Sequence, residues 1–165
     1  MRAALLLALV TIPALLVQTT ILPLIAIGNA TPDLLLIICV YLGLHLHSAV
    51  GAFGAFTLGY LQDAFSGGTI GLNAFAMCLV FTVVYMTSQR LWVDNAISKI
   101  VLVFLASVLK TSVILTLVAL FVSVNGLGQS VLSYLVPEAL LAAVFSPAVF
   151  ALLARTQVLT VTEEE

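Results

Sequence analysis

"LGYLQDAFSGGTIGLNAF", residues 58–75, is the stretch on which the reading of this chain turns. Two apolar runs meet here around an acid, Asp63, two adjacent glycines, Gly67 and Gly68, a third, Gly71, and an amide, Asn73. Elsewhere the chain is close to unbroken hydrocarbon: of 165 residues, 63% are hydrophobic and 7% charged. So few polar groups cannot clothe a soluble domain. The apolar runs instead approach the ~20 residues that a bilayer-spanning helix needs. The stretch therefore reads as the turn of a helical hairpin in a membrane, inside a single transmembrane domain over residues 1–165.

Working outward, six apolar spans can be marked, at residues 3–27, 32–46, 49–64, 69–87, 97–124 and 131–153. The runs are continuous rather than alternating, which selects helices over a barrel. The expected fold is thus an all-α polytopic membrane protein with six transmembrane helices. The first span continues well past the ~7–15 apolar residues of a signal core, so it is expected to be retained. Arg2, Arg90, Lys99 and Arg155 all fall on one side of an up-down arrangement, and the opposite loops contain no Lys or Arg. The positive-inside rule then places both termini in the cytoplasm. The net charge of −2 comes largely from Glu163, Glu164 and Glu165 and argues against nucleic acid as a partner.

The opening stretch can be read residue by residue. Asp63 lies near the end of its helix, where a carboxylate opposes the helix dipole and needs a partner. Gly67 and Gly68 permit a tight reversal. A helix beginning near Thr69 would bring its first N–H groups, and the Asn73 amide, to the depth of Asp63. An anion at a helix N-terminus is stabilised, so the acid is expected to lock the hairpin, with Gly71 leaving space for the approach. Upstream, Thr31 can cap the 32–46 span, Pro32 suits a first helical position, and Asp33 sits at the positive end of the dipole.

Gly51, Ala55 and Gly59 recur at intervals of four. Such a stripe lets helices approach closely, either inside the protein or against the transmembrane helix of a partner. Lys110 and Glu138 sit at similar depths in the last two spans, and intramembrane charges usually pair and face the bundle interior. They form a candidate intramembrane ion pair, either structural or serving a partner or substrate. Pro137 is expected to loosen the helix beside Glu138. His45 and His47 are two apart, which does not put them on one helix face, and they read as turn residues. Cys39 and Cys78 fall in apolar runs and read as small hydrophobes. No catalytic triad, acid pair or phosphate loop is present in the sequence, so neither an enzyme nor a cofactor or metal site is expected.

The stretches "PDLLLIICVYLGL" and "GAFGAFTLGYLQDAFSGGTIGLNAFA" resemble the bacterial rod shape-determining protein MreD family. That pattern has a Pro-Asp before the second helix, then Gly-x-x-x-Asp, a small-residue turn and Gly-Leu-Asn. Here it falls on Pro32, Asp33, Gly59, Asp63, Gly67, Gly68, Gly71, Leu72 and Asn73. The family is similar in turn to the membrane substrate-binding components of energy-coupling-factor vitamin transporters, which implies that fold. The resemblance further implies a scaffold in the bacterial cytoplasmic (inner) membrane, belonging to the cell-elongation complex that makes lateral peptidoglycan. The implied partners are the MreC transmembrane helix and, indirectly, MreB, RodA and a penicillin-binding transpeptidase, with membrane lipid around them. The number of copies in the complex is left open, homo-oligomers included. The alternative is a vitamin-type binding component of a transporter, for which Gln62, Asp63, Asn73 and Glu138 would be a thin polar inventory.

Overall fold

The computed structural model describes residues 11, 13–21, 32–45, 49–66, 71–90, 95–121 and 127–155, and these are all-helical, with no strand among them. The described part of the first expected span is helical and ends in a π turn, Val17–Ile21. Five α-helices follow: α1 (Leu34–His45), α2 (Ala49–Ser66), α3 (Leu72–Arg90), α4 (Ala96–Phe121) and α5 (Leu127–Arg155). Helices α2 and α3 form one closely packed hairpin, and α4 and α5 another. Two stretches, Leu72–Arg90 and Ile97–Leu120, are long and apolar enough to cross a membrane; Leu34–His45 and Glu138–Leu153 are shorter apolar helices.

Helix α1 explains how the two hairpins are held together. Its sequence, LLLIICVYLGLH, is apolar on every side, and nine consecutive residues from Leu35 to Gly43 are buried. A helix without a polar face has to be surrounded. It packs against α2, α3, α4 and α5. Its short span is covered by neighbours. Gly43 brings it close to α3: a Cβ there would fall 2.8 Å from Val84 Cγ1. Cys39 Sγ reaches the Met77 carbonyl at 3.5 Å on the same side. Leu58, Val103, Ala142 and Phe150 close the core from the other helices.

The outer faces are apolar too, exposing Phe53, Phe56, Phe65, Ile97, Leu120 and Val144. The hydroxyls of Thr57, Thr82 and Thr116 point outward, and each donates to the carbonyl four residues back, at 2.8 Å. A helix can thereby carry a hydroxyl without water beside it. Helix α5 runs on through Pro137 and Pro147. Pro147 has no N–H for the Ala143 carbonyl, and the Ser146 hydroxyl fills that place at 2.7 Å.

Candidate functional site

Asp63 ends up buried between α2 and α3, 2% exposed, and its carboxylate accepts four hydrogen bonds. Oδ2 takes the N–H of Gly71 at 2.8 Å and of Ala74 at 3.2 Å. Oδ1 takes the N–H of Asn73 at 3.1 Å and the Asn73 side-chain amide at 2.9 Å. Gly71 occupies the N-cap position of α3, since its carbonyl accepts from Phe75 N at 3.0 Å. A glycine offers no capping oxygen, so the acid on α2 caps α3 from across the hairpin. The helix starts at Leu72 rather than near Thr69. Gly71 is needed for its backbone, not for space: a Cβ there would meet nothing within 4 Å, but φ is +100°.

Gly59 stands one turn before Asp63 and sets the distance over which the acid works. A Cβ at Gly59 would fall 2.6 Å from the Asn73 carbonyl oxygen and 2.7 Å from Ala74 N. The spacing Gly-x-x-x-Asp thus places a close backbone approach and a charged acceptor on the same face of α2. Of the two readings of the small-residue stripe, packing inside the protein is the one its burial supports. Gly51, Ala55 and Gly59 are all buried within this chain, and Gly59 is spent on α3. At Gly59 the missing side chain lets α3 come against α2.

A second polar cluster overturns the expected pairing of Lys110 with Glu138. The Lys110 ammonium forms an ion pair with Asp33, both residues being buried, and donates to Gln62 Oε1 at 2.8 Å. Gln62 Nε2 donates in turn to Asp33 Oδ2 at 3.2 Å, and Gln18 Nε2 to Asp33 Oδ1 at 3.3 Å. Asp33 also caps α1 itself, accepting from Leu36 N at 3.1 Å. Pro32 therefore precedes the helix instead of opening it. Glu138, half-buried on α5, makes no ion pair with Lys110 among the described residues. Equal depth along two helices was the basis for pairing Lys110 with Glu138. Which way each side chain faces decided the matter, and the capped end of α1 lies deeper in the bundle than a loop-borne aspartate would.

Of the remaining residues, Cys39 and Cys78 are free thiols. His45 Nδ1 lies 3.0 Å from the Tyr41 carbonyl, and its ring stacks on Tyr41. Among the described residues no three metal-ligating side chains gather. Thr31, His47, Gly67, Gly68 and Thr69 lie outside the described residues. Gln18 and Gln62 are the members of the Lys110 cluster that sequence reasoning gave no such role. A glutamine inside an otherwise apolar run was the signal that could have found them.

The described residues form an all-helical protein with two helices long and apolar enough to cross a membrane, with buried acids at helix ends and an ion pair in the interior. The chain belongs to the family of the rod shape-determining protein MreD, whose profile matches residues 1–156. This is a family of membrane-associated, shape-determining structural proteins and not an established enzyme family. Comparison with curated proteins and with solved structures returned no match.

Proposed function

We propose that this protein is a non-enzymatic scaffold subunit of the machinery that elongates rod-shaped cells and directs lateral peptidoglycan synthesis. The carrying observation is the family match over residues 1–156, together with a hairpin in which Gly59, Asp63, Gly71 and Asn73 each have a structural task. The protein crosses the inner membrane six times, with both termini cytoplasmic and a fold like that of energy-coupling-factor substrate-binding components. Its direct partner is the transmembrane helix of MreC, through which it joins MreB, RodA and a penicillin-binding transpeptidase. With the small-residue stripe buried, MreC meets one of the exposed apolar faces, such as that of Phe53 and Phe56 on α2.

A second reading, small-molecule binding for transport, draws support from the buried polar cluster at the N-terminus of the short central helix. Substrate sites in transporters use helix ends at that kind of depth. Depletion in a rod-shaped host separates the two. Rounded cells with normal vitamin uptake are expected; normal rods with an uptake defect would favour transport.

A further inference from the structure

Gln62 and Asp63 are neighbours on α2, and each is committed to a different part of the bundle. The Gln62 amide works in both directions. Its Oε1 accepts from the Lys110 ammonium of α4 at 2.8 Å, and its Nε2 donates to Asp33 Oδ2, at the start of α1, at 3.2 Å. The Asp63 carboxylate faces α3, where it accepts from the N–H groups of Gly71, Asn73 and Ala74. One dipeptide thus touches the capped ends of both α1 and α3 and the middle of α4.

Successive residues of an α-helix are fixed about 100° apart around the axis and ~1.5 Å along it. Helix α2 is therefore not free to satisfy one set of bonds without the other. Rotating it to withdraw Gln62 turns Asp63 through the same angle, and hydrogen bonds weaken steeply as their angles close. Sliding is resisted too, because Gly59, one turn before Asp63, lies against the α3 backbone: a Cβ there would fall 2.4 Å from Ala74 Cα. Asp33, Asp63 and Lys110 are all buried, so a bond broken at either set leaves a polar group with no water to replace it. An arrangement with one set broken and the other kept is disfavoured.

We propose that Gln62 couples the Asp63 cap to the Asp33–Lys110 ion pair, so that the starts of α1 and α3 open and close as one unit. Gln62 is the positioning residue of this device. The coupling is independent of whether the protein scaffolds or transports. Residue-resolved hydrogen exchange of the protein in lipid nanodiscs tests it, because each end carries its own reporter. The Leu36 N–H is held by Asp33 at 3.1 Å and the Gly71 N–H by Asp63 at 2.8 Å. The N–H of Ala142, in the core on α5, reports opening of the whole protein. Asp63→Asn is expected to speed exchange at Leu36 by at least about twofold beyond any change at Ala142, although the four bonds of the Asp63 carboxylate all go to residues 71–74. Gln62→Met fills the same space without an amide, so adding Asp63→Asn to it should leave Leu36 unchanged relative to Ala142. Lys110→Met, read at Gly71, gives the reciprocal arm with the same dependence on Gln62. The wild type supplies a check free of variants: Leu36 and Gly71 are expected to exchange through one opening event with one denaturant dependence. A Leu36-to-Ala142 ratio that Asp63→Asn leaves unchanged would overturn the proposal. Transmission that persists undiminished in Gln62→Met would refute it as well, and so would differing denaturant dependences in the wild type.

Discussion

A glycine at the N-cap of α3 leaves that helix without a capping side chain, and Asp63 supplies the acceptor from α2. Because the carboxylate is buried and fully engaged, its removal strands several donors at once. Losing a charged partner from a buried hydrogen bond typically costs about 1.5–3 kcal/mol. Asp63→Asn keeps the shape and one acceptor, so it is expected to be the mildest change. Asp63→Leu removes both acceptors and should be worse. Asp63→Lys sets a cation against the positive end of α3 and should be the worst of the three. Thermal melts of the detergent-purified protein without its partners check this order. Equal melting temperatures with loss of rod shape in cells would instead make Asp63 a contact to another chain. A related comparison concerns Asp33 and Lys110. Removing one member of a buried pair costs ~3–5 kcal/mol, while replacing both is much milder. Lys110→Met should therefore destabilise strongly, and adding Asp33→Asn should recover part of the loss in a double-mutant cycle.

At the scale of elements, the α2–α3 hairpin is one mechanical unit. Gly59 permits the approach, Asp63 uses it, and Gly71 supplies the left-handed turn that aims the first N–H groups of α3 at the acid. Gly59→Leu would push a side chain into the Asn73 carbonyl and separate the helices, breaking the cap as well as the packing. The variant is expected to melt lower than wild type, with its purified yield falling in parallel. A Gly59→Leu protein that melts like wild type would contradict this account of the hairpin. Helix α1 behaves differently. It is held by burial on all sides and by one charged contact at its capped end.

For the whole molecule, the arrangement places apolar residues both inside and outside, so solvent polarity cannot define which face is which. Among the described residues, polar groups gather at helix ends and in two buried clusters, and several hydroxyls are satisfied within their own helix. That pattern suits a membrane, and the flanking cations set the orientation to be tested. Single cysteines at Thr31, Ser66 and Gly128, in a background lacking Cys39 and Cys78, are expected to react with an impermeant thiol reagent from outside the cell. Cysteines at Thr87 and Thr162 are expected to be protected. The reverse pattern would invert the topology.

Hydrocarbon content and run length were enough to determine the all-helical class, because a chain this poor in polar residues must satisfy its backbone within its own helices. The Asp63 cap was legible for a related reason: its donors lie only 8 to 11 residues away, across a turn too short to allow many alternatives. Family membership was legible in the same motif. The fate of Lys110 was not. Its partner is 77 residues away, and depth along a helix says nothing about the rotation that brings one side chain to face another. Packing settled that rotation, directing Lys110 to the buried cap of α1 and leaving Glu138 unpaired with it. Packing also closed the Gly51–Ala55–Gly59 stripe against the protein itself, since small residues mark where a neighbour can approach but not which neighbour arrives.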